Sequence, residues 1–240
     1  MDAYSSDFFA AHRDGARRSA GVIVPLVLTL VPARSVIDVG CGQGTWLSVF
    51  AAHGVADVHG IDGDYVDRDR LEIPPGRFLA HDLSRPLRLD RTFDLAVSLE
   101  VAEHLPEHAA DAFVESLARL APVVLFSAAA PYQGGNNHVN EQWPAYWAGR
   151  FAEHGYRPVD CLRRRVWANP DVEWWYAQNT FLYVRRDRLE ADPALRREAE
   201  AAGPDALPLV HPRRYVEWVE WGLGLCGGEP SAAARTGVTG

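Results

Sequence analysis

An α/β fold with a doubly wound, mostly parallel sheet is predicted by two features of the chain. From Ser35 onward, short apolar runs alternate with stretches of helical character, the pattern of parallel strands joined by crossover helices. The segment Val36-Ile37-Asp38-Val39-Gly40-Cys41-Gly42-Gln43-Gly44-Thr45-Trp46-Leu47 reads as a buried strand ending in a glycine-rich turn that opens a helix. Glycines suit such a turn because a side chain would hold the backbone away from a ligand, and the turn can require φ > 0. The helix behind it points unpaired N–H groups at whatever sits above.

Taken in order, residues 4–31 read as a helical lead-in with Tyr4, Phe8 and Phe9 as an aromatic cluster. Strands are expected at 35–39, 57–61, 77–80, 93–98 and 122–127, and helices at 45–53, 107–120 and 142–154. The piece between Asp62 and Pro75 is too charged and too short for a full crossover helix, so that connection should be abbreviated. Two β-like runs follow at 157–167 and 179–186. Residues 187–202 carry the pattern of a solvated surface helix. A further helix at 212–223 sets Tyr215, Trp218 and Trp221 on one stripe, expected to pack on the core, with a lid or dimer contact as the other reading. The resulting organisation is a lead-in (1–34), one α/β domain (35–186), C-terminal helices packed on it (187–226) and a small-residue tail (227–240) expected to be disordered.

Composition narrows the function classes. A chain of 240 residues is long enough to bury one substantial core, and 48% hydrophobic with 23% charged residues is ordinary for a globular protein. The net charge of −8 argues against a protein whose task is to hold nucleic-acid phosphates. All 24 basic residues are arginine, which reads as codon bias. Cys41, Cys161 and Cys226 are odd in number and widely spaced, so a reducing compartment, the cytoplasm, is expected. The apolar run Val22 to Val31 contains Pro25 and is too short to cross a bilayer, so no membrane role is expected.

The spacing of the glycine turn is more specific than its composition. Gly40, Gly42 and Gly44 form G-x-G-x-G, and Thr45 stands where the dinucleotide fingerprint wants its last glycine. With Asp38 two residues ahead of the first glycine, the segment resembles the first motif of the class I S-adenosylmethionine (SAM)-dependent methyltransferases. The resemblance implies a Rossmann-like, seven-stranded sheet with an antiparallel last strand, and SAM as cofactor. Asp62, ending the second strand, would accept the ribose hydroxyls, a turn or helix cap being the plainer reading. Asp82-Leu83 resembles the third motif, where the acid meets the adenine amino group and Leu83 packs on the ring; a turn-initiating Asp is the alternative. The fourth strand, ending at Leu99, looks like the fourth motif and faces the methionine part. Arg17 and Arg18 could pair with the methionine carboxylate, although surface arginines are the simpler reading.

After that strand, Glu100-Val101-Ala102-Glu103-His104-Leu105 gives E-x-x-E-H, which resembles the segment of small-RNA 2′-O-methyltransferases and ubiquinone-pathway O-methyltransferases. There the acids and histidine can hold Mg²⁺, joined in the RNA enzymes by a histidine after the fifth strand; His138 occupies that loop here. Three readings stand open. Glu100, Glu103, His104 and His138 could ligate a divalent ion, His138 or His104 could act as general base, or the residues could brace the local structure. The short interval from His104 to His138 and the lack of a basic stripe depart from the RNA enzymes, so the resemblance does not carry an RNA substrate. Trp174-Trp175-Tyr176-Ala177-Gln178-Asn179, preceded by Trp167 and Asn169, could line an acceptor pocket with Trp143, Tyr146 and Trp147, or pack as core. The expected activity is methyl transfer to an oxygen of a small molecule, a small amine being the alternative acceptor. A non-catalytic SAM-binding protein and a nicotinamide oxidoreductase are less supported, since the chain has no lysine for a Tyr/Lys relay. Oligomeric state is not legible.

Overall fold

The computed structural model describes residues 6–201 and 208–223, with side chains from residue 14. The sheet is seven-stranded in the order β3-β2-β1-β4-β5-β7-β6, with β1 Ser35–Val39, β2 Asp57–Asp62, β3 Phe78–Ala80, β4 Leu95–Leu99, β5 Val123–Ser127, β6 Tyr156–Val159 and β7 Phe181–Arg185. β1 through β5 pair in parallel, while β7 runs antiparallel to both β5 and β6. β4 and β5 are buried at every position, as parallel strands covered on both faces must be.

Strand alternation divides the core into two layers. Val36, Leu95, Val97, Val123 and Leu125 point to one side, where they meet α1 (Ser6–Leu30) and α2 (Thr45–Ala52). Ile37, Ala96, Val124 and Phe126 point to the other, against α3 (Ala110–Leu120) and α4 (Pro144–Glu153). Pro144 at the first position of α4 presets the helical φ and removes a donor that would have no partner, which is why α4 begins there rather than at Gln142. The β2–β3 connection holds only the 3₁₀ turns Arg68–Arg70 and Pro75–Arg77, as its charge and length require.

Three expectations are corrected. The run 157–167 is not one strand: it divides into β6 and the short helix α5 (Arg163–Val166), because Asp160 turns back to pair with Arg163 at 2.6 Å and ends the extended segment. Trp174–Asn179 forms a helix, α6, so the run expected from 179 becomes a strand only at Phe181. The surface helix at 187–202 is split into α7 (Arg186–Ala191) and α8 (Pro193–Ala201), since Pro193 cannot continue a helix and Asp192 accepts the N–H groups of Ala194 and Leu195.

Helix α9 (Pro212–Gly222) forms where expected but carries no buried residue. Tyr215 is 64% exposed and Trp221 39%, so the aromatic stripe does not pack on the core. Trp218 and Arg214 dock inward, both donating to the Tyr132 carbonyl at 3.0 and 2.6 Å. Among the described residues no helix is long and apolar enough to cross a membrane. The expected disordered tail (227–240), Cys226 and the cluster of Tyr4 with the Phe8 and Phe9 side chains lie outside the described residues.

Candidate active site

The glycine turn sits at the carboxyl end of β1, and its backbone explains its residues. Gly40 has φ 91°, and a Cβ there would lie 2.3 Å from the Val101 side chain, so the turns after β1 and β4 can touch only through a glycine. Gly42 has φ 53°, and a Cβ there would meet nothing within 4 Å, which leaves open space above the turn where a ligand can approach the backbone. Its N–H donates to Asp62 at 2.6 Å, tying the turn to the end of β2. Asp62 also accepts the Gly63 N–H at 2.7 Å and the Tyr65 hydroxyl at 2.5 Å. Asp38 is 3% exposed beneath the turn; burial first, then the charge of Asp62, pushes its carboxyl well above the ordinary range.

Other predicted cofactor contacts are placed differently. Asp82 is solvent-exposed, accepts the Ser84 N–H and hydroxyl at 3.0 and 2.6 Å, and pairs with Arg85. Its hydrogen bonds to Ser84 hold its carboxyl below the usual range, the behaviour of a turn-initiating acid. The Leu83 side chain is buried in the α3-side core with Ile61 and Leu87, so it is not open to pack on a ring. Leu99 is buried in the opposite layer at the end of β4. Arg17 pairs with Glu72, and Arg18 with Glu173 at 2.9 Å, as surface arginines do.

Beyond β4 the chain turns sharply at Glu100, whose φ is 54° and whose N–H donates to the Ser127 carbonyl at 3.0 Å. A 3₁₀ turn, Ala102–His104, follows. The Glu103 carbonyl accepts the N–H groups of Val139 and Asn140 at 2.9 and 3.0 Å, and this backbone clasp brings the His138 loop over the turn. The His104 and His138 rings lie 4.8 Å apart at 88°. One ligand atom from each of Glu103, His104 and His138 falls within 4.8 Å of the others. Glu103 is wholly buried, and neither carboxylate oxygen has a hydrogen-bond partner. Burial, then the charge of Glu100, pushes its carboxyl well above the ordinary range. Burial and the nearness of His138 push His104 down.

Glu100, the fourth expected ligand, does not join the trio. Its carboxylate accepts Gln133 Nε2 at 2.8 Å and Asn179 Nδ2 at 3.2 Å, and Asn179 also donates to Gln133 Oε1 at 2.8 Å. Glu141, three residues after His138, receives its Nδ1 at 2.9 Å and the Gly134 N–H at 2.7 Å. Burial opposes ionisation of Glu141, but these two bonds outweigh it and hold the carboxyl below its usual range. With Nδ1–H donated to Glu141, His138 Nε2 is left to accept a proton or bind a metal. Gln133, Glu141 and the clamping role of Asn179 escape sequence reading; only the His138-to-Glu141 spacing offered a signal.

The expected aromatic pocket does not form. Trp147 and Tyr146 pack with Phe126 on the α3 side, whereas Trp175 and Tyr176 belong to the α1 side, with the sheet between them.

Comparison with known proteins agrees with this architecture. Residues 9–169 match the family model described as a methyltransferase domain. Among solved structures, the sugar N-methyltransferase KedS8 from a Streptoalloteichus species is 20% identical with a TM-score of 0.58, covering 76% of this chain and 93% of that one. SAM-bound CalS10, an amino pentose methyltransferase from Micromonospora echinaspora, is 18% identical with a TM-score of 0.56, covering 77% and 99%. The methyltransferase domain of bacterial CtHen1-C is 22% identical with a TM-score of 0.53, covering 71% and 98%. At these identities the likeness is one of fold. No curated protein matches the chain. The chain belongs to the methyltransferase domain family, an enzyme family of class I SAM-dependent methyltransferases, and its cofactor is S-adenosylmethionine.

Proposed function

We propose that this enzyme methylates an oxygen of a small-molecule acceptor, and that Glu103, His104 and His138 receive the acceptor group. The observation that carries the reading is the Glu103 carboxylate, fully buried and without a partner, beside two imidazoles just past β4. A buried acid so placed is costly unless something else completes its environment.

S-adenosylmethionine supplies a methyl group activated on a sulfonium. Gly42 leaves room for it at the backbone, and Asp62 is the acid set to take its ribose hydroxyls, exchanging the Tyr65 hydroxyl for them. Asp38, Gly40 and Gly44 shape the same turn, Leu99 closes it from β4, and Asp82 would turn from Ser84 to reach an adenine amino group.

The trio fits a divalent ion. With the Glu100 oxygens held by amides, its donors are one carboxylate and two imidazoles, a set that suits Mn²⁺ or Zn²⁺ better than the all-oxygen preference of Mg²⁺. Such an ion would lower the pKa of a bound hydroxyl and fix its orientation. A metal-free site is the second reading, favoured by the downward shift of His104: a neutral imidazole can take the acceptor proton directly. An amine acceptor is supported by the names of KedS8 and CalS10. The free, buried thiols of Cys41 and Cys161 accord with a reducing compartment, the cytoplasm.

The test is turnover of SAM against matched hydroxyl and amino sugars and phenols, with the product read by mass spectrometry. Glu103→Gln and His138→Ala should abolish turnover while S-adenosylhomocysteine affinity stays within a few-fold. Full activity in both variants would make the cluster structural. Activity that survives EDTA would select the histidine base over the ion.

A further inference from the structure

The α3 and α4 helices cover one face of the sheet from β1 outward to β7, but residues 81–94, which join β3 to β4, contain no helix. The sheet margin they would cover lies open. It forms a cleft of about 370 Å³, within the size range of small-molecule sites, walled by Ile37, Ile61, Phe78, Leu89 and Phe93. Leu79, at the rim, is 46% exposed.

The polar side chains lining this cleft are His59, Arg77, Arg91 and the exposed Asp90. Arg77 and Arg91 converge on one carboxylate, Asp57, at 2.7 and 2.5 Å. Both also approach His59 Nε2, at 2.6 and 3.2 Å, and that nitrogen lies 3.1 Å from Asp57 Oδ1. Arg91 lies over the Phe93 ring at 4.2 Å and Arg68 over Phe78 at 5.6 Å. The two guanidinium groups are paired with Asp57 and have Asp90 on the same rim, yet their side chains stay 40% and 42% exposed with donors to spare. Flat cationic groups above aromatic walls favour an anion attached to a flat apolar body. The cleft lies on the α3 face of the sheet, to which Ile61 points, whereas the next residue, Asp62, points to the other face at the carboxyl end of β2.

We propose that this cleft is a second ligand site, for a small aromatic carboxylate or similar anion held by Arg77 and Arg91. The carboxylate meets the two guanidinium groups, and the ring system lies against Phe78, Leu79 and Leu89.

The probe is 2-naphthoate, with neutral 2-naphthol as its uncharged counterpart, titrated into the full chain by calorimetry and by amide chemical shifts. Saturable binding of naphthoate is expected, with shifts centred on Gly60, Gly76 and Leu79, and naphthol should bind about tenfold more weakly. An Arg77→Gln/Arg91→Gln double variant should weaken naphthoate by about tenfold or more while leaving S-adenosylhomocysteine affinity unchanged. Should that variant fold poorly, Leu79→Glu sets a repelling charge at the rim and should lower the preference for naphthoate over naphthol. Non-saturable binding, shifts confined to the glycine turn and the His138 loop, or variants that retain the wild-type preference would overturn the proposal.

Discussion

At the level of single residues, Glu103 and the turn glycines are shaped by opposing demands of stability and chemistry. Burial and Glu100 raise the folded-state pKa of Glu103 above its unfolded value of about 4.3. The folded protein therefore binds this proton more tightly than the unfolded chain does. The contribution is fully present below the unfolded pKa and is lost as pH rises through the folded one. Glu103→Gln keeps the shape without the charge, so in metal-free protein it should be near neutral at pH 5 and stabilising by about 1–3 kcal/mol at pH 8.5. Urea unfolding of both proteins at the two pH values reads this directly; an equal difference at both would mean that Glu103 is ionised and satisfied throughout. The glycines separate in a similar way. Gly40→Ala must push Val101 aside at a positive φ and should destabilise by about 2 kcal/mol or more. Gly42→Ala meets no atom, so it should cost only about 1 kcal/mol of backbone strain, yet weaken S-adenosylhomocysteine binding severely by filling the space above the turn. Thermal unfolding beside calorimetric titration separates the two effects.

At the level of elements, the His138 loop is held from two sides. Glu103 clasps it through Val139 and Asn140, and α9 holds its start at Tyr132, whose φ of 65° is unusual for a tyrosine. The N-terminal end of α9 is itself anchored: the His211 N–H donates to Gln178 Oε1 at 2.7 Å, and Gln178 donates to Asn179, which clamps Glu100. A continuous polar chain thus runs from the last described helix to the end of β4. Trp218→Phe removes one donor to Tyr132, and with Arg214→Ala it should speed hydrogen exchange at the Val139 and Asn140 amides by about tenfold, leaving the β4 and β5 amides protected. Unchanged exchange at those two amides would mean that the Glu103 clasp alone orders the loop. These links explain what could be read in advance. β1, β4 and β5 were legible because strands buried on both faces must be runs of apolar residues, and the partly exposed β2 and β3 because turn residues bound them. Glu103 and His104 were legible because the E-x-x-E-H segment sets acid and imidazole side by side. His138, far along the chain, was legible only through the resemblance to enzymes with a histidine after the fifth strand. The β6–β7 connection was not, because Arg163, paired locally with Asp160, is buried through the Gln178 carbonyl 15 positions away. The Gln133 and Asn179 clamp joins residues 33 and 79 positions from Glu100, and local pattern carries no trace of such a contact.

For the molecule as a whole, the lead-in helix decides whether the fold stands. The sequence places the domain start at residue 35, yet α1 contributes Ala20, Ile23, Val24 and Val27, all fully inaccessible, to the layer beneath β1 and β4. The family match likewise begins at residue 9, inside α1. Each large apolar side chain buried there is worth about 1.5–3 kcal/mol. The helix as a unit therefore contributes an amount comparable with the whole stability of a typical domain, about 5–15 kcal/mol. Its loss would also uncover Leu47 and Phe50 of α2, which are inaccessible in the intact protein. A chain that begins at Arg34 should therefore fail to fold cooperatively, without a sigmoidal thermal transition by circular dichroism and without saturable S-adenosylhomocysteine binding. Adding a peptide of residues 6–33 in trans should recover part of both signals, because the peptide returns the apolar side chains against which the sheet and α2 close their core. If the shortened chain instead unfolds at the temperature of the full one, α1 is an accessory element, and residue 35 is the true start of the folding unit.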